Sequence, residues 1–188
     1  MIDLGLIPAA GKGVRAWPKS SYVPKPMLEI AGVPLVQRNV ELMRDALGIR
    51  DIVVIVGYLG DHIRRHLGDG SAWDVRLTYV DCPDPDVGLA QGMALAEPPL
   101  PRPFATILAD ELYLDTNHAE LRAPDGDWFA VCGVMHTDDP RLIERNYSVA
   151  VRGSHIADIE EKLQSQTSDL LGCGRYLFTP EVFDRIRT

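Results

Sequence analysis

The chain has 188 residues and a formal charge of −8, with 46% hydrophobic and 24% charged residues, a balance that suits one soluble globular domain with one core. The acidic balance argues against a surface that coats a nucleic-acid polymer, which needs a basic face. No apolar run approaches the ~20 residues of a membrane-spanning helix, and no basic segment precedes a signal-like apolar core, so a cytoplasmic protein without a membrane partner is expected.

Residues 4–7 are a short apolar run that enters a loop containing Gly11 and Gly13. Between Leu4 and Leu28 stand Lys12, Arg15, Lys19 and Lys25, with no acidic residue among them. In an acidic chain this local reversal of sign points to a bound polyanion. Glycines let backbone N–H groups close on phosphate oxygens, and Arg15 offers a forked donor where Lys25 offers a point charge. The glycine pattern taken alone fits a solvated basic loop equally well.

Residues 27–30 and Gly32-Val33-Pro34 read as a short extended piece and a turn, with Pro34 in the first turn of a helix. Leu35, Val36, Val40, Leu42, Met43, Ala46 and Leu47 recur at helical spacing until Gly48. Residues 52–56 (IVVIV) are a continuous β-branched run, the pattern of a strand covered on both faces. Residues 61–67 read as a second short helix and 75–80 as a third strand, so the winding is parallel α/β. A loop rich in proline and aspartate follows, then a helix over 89–97 and a fourth strand over 104–109 that ends at Asp110 and Glu111. A carboxylate at the carboxyl end of a buried strand lies on the rim where ligands bind, although Asp110 could instead simply cap the next turn. Beyond Leu121 extended segments take over, at 128–134, 147–151 and 155–159, and residues 172–178 lead into a short terminal helix. His136, Asp138 and Asp139 match no ligand spacing and read as loop residues. Cys82, Cys132 and Cys173 lie far apart without C-x-x-C spacing, which predicts buried thiols rather than a zinc site or a disulfide framework.

The string LIPAAGKGVRAWPKSSYVPKPML, from Leu6 to Leu28, resembles the signature of the sugar-1-phosphate nucleotidyltransferases, A-A-G-x-G-T-R-L-x-P followed by P-K-x-L. The matching residues are Ala9, Ala10, Gly11, Gly13, Arg15, Pro18, Pro24, Lys25 and Leu28. Other phosphate loops fit less well: no Ser or Thr stands in a Walker A register, and Ala16 occupies the place of a third dinucleotide-fold glycine. Gly88-Leu89-Ala90-Gln91 resembles the P-D-G-L-A-Q segment of the glucose-1-phosphate thymidylyltransferases, with Val87 inserted before it. Glu160-Glu161-Lys162 resembles the family's E-K-P, with Leu163 for the proline, and GCGRYLF at 172–178 resembles its G-x-Y-x-F strand.

The resemblance implies a three-layer α/β/α Rossmann-like nucleotidyltransferase fold with a mixed, mainly parallel sheet, over a single domain of residues 1–188 that stops short of the family's C-terminal part. It implies that a nucleoside triphosphate, dTTP or UTP, and a sugar 1-phosphate are joined with release of pyrophosphate, with Mg²⁺ as cofactor. Arg15, Lys25 and Asp110 are then the catalytic residues. Arg15 and the backbone of residues 11–14 would hold the β and γ phosphates, Lys25 would bridge the attacking and α phosphates, and Asp110 would hold the metal. Ala9, Ala10, Gly11, Lys12, Gly13, Val14, Cys82, Gly88 and Gln91 would contact the nucleotide, and Gly133, Glu161 and Lys162 the sugar phosphate. The chain departs from the pattern at Val14, where the family has Thr or Ser, at Ala109, where it has Gly, and at Asp81-Cys82-Pro83, where it often has a base-reading Gln. The family's second metal-binding aspartate, in a W-x-D-x-G-like segment, would fall beyond Thr188. A cytidylyltransferase acting on a phospho-alcohol and a non-catalytic nucleotide-binding regulatory domain remain as alternatives, and a homo-oligomer is left open.

Overall fold

The continuous apolar runs become the central strands. The structure, a computed structural model, describes residues 1–114, 116–124, 126–161 and 168–188. The chain divides into two compact units, Met1–Ala130 with Tyr176–Thr188, and Val131–Arg175. The first contains β1 (Leu4–Ala9), a small ribbon of β2 (Glu29–Ile30) and β3 (Val33–Pro34), α1 (Leu35–Asp45), β4 (Asp51–Val56), α2 (Gly60–Leu67), β5 (Arg76–Asp81), α3 (Leu89–Ala94) and β6 (Phe104–Ile107). The second holds most of β7 (Ala130–His136), then α4 (Pro140–Arg145), β8 (Tyr147–Arg152), β9 (His155–Glu161) and the start of β10 (Leu170–Phe178); α5 (Glu181–Arg187) belongs to the first.

In the first unit β1 pairs in parallel with β4 on one side and β6 on the other, and β5 extends the order to β5-β4-β1-β6. Leu4, Leu6, Val53, Ile55 and Phe104 pack with Met93, Val182 and Phe183 on one face, where the Phe104 and Phe183 rings stack at 5.7 Å. The opposite face carries α1. A Cβ on Gly5 would come within 2.6 Å of Met43 Sδ there, so the glycine lets helix and strand close. Apolar residues on both faces of β1 and β4 thus produce the three layers, because each face needs a cover. From β1 the chain moves one way to β4 and β5, then returns to the other side of β1 for β6. Such a reversal opens a crevice outside the carboxyl ends of two neighbouring strands, here β1 and β6.

The second unit is antiparallel. β8 and β9 pair from Tyr147↔Glu161 to Arg152↔His155, β10 pairs with β8 at Leu171↔Ser148, and β7 also pairs with β10. The sheet is therefore mixed, with its parallel part in the first unit.

Several segments differ from the sequence expectation. Helix α3 stops at Ala94 rather than reaching 97, and Ala96 and Glu97 bond three residues back instead of four; Pro98 disfavours the helical conformation of the residue before it. Strand β6 ends at Ile107, so Asp110 stands in a turn beyond the strand. Residues 139–145, expected as loop, include the short helix α4, whose start is fixed by the Asp139 carboxylate accepting from Arg141 N at 3.0 Å and by Pro140. Cys82 is buried as expected, whereas Cys132 and Cys173 are half-buried. Among the described residues no helix is long and apolar enough to cross a membrane, and no group of three or more His, Cys, Asp or Glu gathers as a metal cluster would.

Candidate active site

At the carboxyl ends of β1 and β6 a cleft of about 300 Å³ opens. One wall is Ala9, Ala10, Gly11 and Gly13; another is Cys82 with the loop through Val87 and Gly88; Lys25 and Asp110 complete it. Gly13 has φ +60, and a Cβ there would lie 2.9 Å from Lys25 Cβ. Glycine thus allows both the left-handed turn and the seating of the lysine stem against the loop. The turn is tied down by the Ser20 hydroxyl, which donates to Gly13 O at 2.8 Å, and by Ala16 N, which donates to the same oxygen at 2.9 Å. Gly11 has open space where a side chain would begin. The basic segment is not a plain loop but three 3-10 turns, Val14–Ala16, Lys19–Ser21 and Lys25–Met27.

Two ion pairs organise the charge. Lys25 Nζ donates to the Asp110 carboxylate, each side chain about a third exposed. Lys12 Nζ donates to Asp86 Oδ2, so the glycine loop is linked to the loop that precedes Gly88; the Asp86 carboxylate beside it holds the Lys12 ammonium above the usual lysine range. Burial pushes the Cys82 thiol up, against a smaller lowering by the backbone at Asp84, and its Sγ–H donates to Asp84 O at 3.1 Å. The turn that carries Asp110 is held from α1, where Asn39 Nδ2 donates to Leu108 O at 3.1 Å and to Glu111 O at 3.2 Å.

The structure thus gathers Ala9, Ala10, Gly11, Gly13, Lys25, Cys82, Gly88 and Asp110 around one cleft. It does not bring four others onto the cleft wall. Val14 and Arg15 are exposed in the first 3-10 turn, Lys12 points to Asp86, and Gln91 is exposed on α3 with its Oε1 3.4 Å from where a Gly88 Cβ would be. Gly133 and Glu161 belong to the second unit; Gly133 is buried under the Arg175 side chain, which an added Cβ would meet at 2.3 Å, and Glu161 is exposed at the end of β9. Lys162 lies outside the described residues. Two residues of the site escaped the sequence reading. Asn39 had a signal, a polar side chain inside the apolar stripe of α1, whereas nothing local marks Asp86 among its neighbouring acids.

Comparison with known proteins gives a consistent result. The family profile described as nucleotidyl transferase matches residues 4–188. An N-acetylmuramate α-1-phosphate uridylyltransferase of Neisseria meningitidis serogroup B is 40% identical over 110 residues, 57% of this chain and 46% of the relative. A UTP–glucose-1-phosphate uridylyltransferase of Haloferax volcanii is 30% identical over 184 residues, 93% of this chain and 71% of the relative. Among solved structures, a Bacillus anthracis protein assigned as a glucose-1-phosphate thymidylyltransferase, in complex with sucrose, superposes with a TM-score of 0.83 at 27% identity, covering 100% of this chain and 75% of the other. The chain spans about half the length of the first of these curated relatives.

Proposed function

Because the chain belongs to the nucleotidyl transferase family, we propose that it joins a sugar 1-phosphate to a nucleoside triphosphate, UTP or dTTP, releasing pyrophosphate and forming a nucleoside diphosphate sugar. The observation that carries this reading is the meeting of Lys25 and Asp110 on the wall of a cleft floored by the Gly11 and Gly13 loop. An ammonium, a carboxylate and a glycine loop meet where two strands end. Nucleotidyl transfer needs that equipment, because its barrier lies in bringing anions together in line rather than in moving protons.

The attacking oxygen belongs to a phosphate whose second pKa is about 6, so near neutral pH no side chain has to deprotonate it. The backbone of residues 11–13 receives the β and γ phosphates, and Arg15 turns in from its exposed position to join them. Lys25 leaves Asp110 and sits between the attacking phosphate and the α phosphate. The new bond joins the sugar-phosphate oxygen to the α phosphorus; the bond from that phosphorus to the β-bridging oxygen breaks, and its electron pair leaves with pyrophosphate. Asp110 suits Mg²⁺, which is commonly held by one or two carboxylates together with phosphates and water rather than by a protein cage, and which when bound neutralises phosphate charge. The cytoplasm, where nucleoside triphosphates are available, is the compartment this reading requires.

The test is pyrophosphate release with Mg²⁺ across UTP, dTTP, CTP, ATP and GTP, each crossed with hexose 1-phosphates and run beside Asp110→Asn. Release that needs both substrates and disappears in Asp110→Asn, while that variant still binds the triphosphate, supports the reading. Release with the triphosphate alone, or none with any pair, contradicts it.

A further inference from the structure

Asn39 lies on the face of α1 that takes Leu35, Val36, Val40 and Met43 into the core, and it is 1% exposed. A buried amide is costly unless its hydrogens are used. Both go to the same place, the carbonyls of Leu108 and Glu111, which stand on either side of Asp110. Register pairing of β6 with β1 ends at Leu6↔Thr106. The turn itself contributes one long backbone bond, Glu111 N to Leu108 O at 3.4 Å.

We infer that Asn39 is a positioning residue for the proposed transfer: by clamping the carbonyls of Leu108 and Glu111 it fixes the turn that aims Asp110 at Lys25 and the cleft. The inference rests on the preceding assignment of Asp110 to the reaction. Its logic is that a reacting constellation is only as well placed as the groups supporting it. The side chain is matched to the task, since a planar amide offers two hydrogens from one nitrogen, whereas Ser offers one and Ala none. Asn39 touches neither substrate nor metal in this scheme and acts through the turn alone.

The test uses the full chain with Asn39→Ala and Asn39→Ser, read by amide hydrogen exchange over residues 108–112 and by kcat and KM for UTP at a temperature where each variant is fully folded. For Asn39→Ala the Glu111 amide should exchange at least about tenfold faster while β1 and β4 keep their protection, the pattern of local rather than global opening. The same variant should lose roughly 10- to 100-fold in kcat, the scale of a displacement near 1 Å in a reacting group, with KM for UTP little changed; Asn39→Ser should fall between. Unchanged exchange and kcat in the folded Ala variant overturn the inference. So does a kcat loss accompanied by faster exchange throughout the first unit, or failure of both variants to fold, since each means that the amide serves the packing of α1 as a whole. If the unaltered protein releases no pyrophosphate, the proposed function fails, and the exchange experiment still decides whether Asn39 holds the turn.

Discussion

Gly11 and Gly13 stand two residues apart in one loop, yet the structure gives substitution by alanine opposite consequences at the two positions. At Gly13 the backbone is left-handed, which costs an L-residue roughly 1–2 kcal/mol. The added Cβ also meets Lys25 Cβ at 2.9 Å, a contact between two atoms fixed close to the backbone, and relieving such overpacking costs about 1–3 kcal/mol. Reduced freedom of the unfolded chain returns some 0.4–1 kcal/mol. Gly13→Ala should therefore lose roughly 1–4.5 kcal/mol, about 2–18 °C in Tm for a chain of this size. It should also slow turnover, because the lysine stem has to shift. At Gly11 no atom lies within 4 Å of the added Cβ and no positive φ is involved, so Tm should hold or rise slightly. The methyl group would instead stand where phosphates approach the loop. Losing one charge-assisted bond from a backbone N–H, about 1.5–3 kcal/mol, weakens UTP binding roughly 10- to 100-fold. Thermal unfolding gives the first quantity and titration calorimetry with UTP and Mg²⁺ the second. If Gly11→Ala binds UTP as the unaltered protein does, the loop is not a phosphate cradle; if Gly13→Ala is as stable, the contact with Lys25 has been misjudged.

Asp86→Asn should leave stability unchanged and release Lys12 for the phosphates, tightening UTP by no more than about fivefold, because an exposed pair is a weak competitor. The gain should fade as salt screens the lysine, and weaker binding in titrations at low salt would show that Lys12 and Asp86 do not compete with the ligand. Cys82, 4% exposed with its thiol pushed up by burial, should resist iodoacetamide at pH 7.5 in the folded protein and react on unfolding. Its linkage follows from that direction: the folded value lies above the unfolded one, so its contribution to stability is complete below the unfolded thiol pKa, about 8.5, and is lost as pH rises through the folded value. Urea midpoints should accordingly fall more steeply above pH 9 for the unaltered protein than for Cys82→Ala. Equal slopes would mean that the buried thiol does not carry the alkaline loss.

The parallel layers were legible because their causes are local. IVVIV is apolar throughout, and α1 repeats its apolar residues at helical spacing until Gly48. The glycine loop, Lys25 and Asp110 were legible as residue types at recognisable positions. Their partnerships were not, since Lys25 and Asp110 lie 85 residues apart and Lys12 and Asp86 lie 74 apart, and no local pattern encodes a contact made by the return of the chain to β6. Two ends were misjudged for a related reason. β6 stops one residue beyond its last register pair with β1, and the turn after it is held by an amide on α1 as well as by its own long Glu111 N to Leu108 O bond. In α3 the propensity of Leu89 onward is cut short by the Pro98-Pro99 pair. Asn39 shows what a closer reading can recover, because a polar residue on a core face needs a partner, although the identity of that partner comes from the fold alone.

The most direct measurement follows UTP, a hexose 1-phosphate and Mg²⁺ with the protein by ³¹P NMR. Transfer predicts that the sugar-phosphate resonance and the triphosphate resonances decline together, replaced by a pair of coupled diphosphate-ester signals and pyrophosphate in equal amount. Orthophosphate growing while the sugar phosphate stays constant would mean hydrolysis of the triphosphate, and a spectrum that does not change with any tested pair of substrates would mean that the cleft does not carry out nucleotidyl transfer.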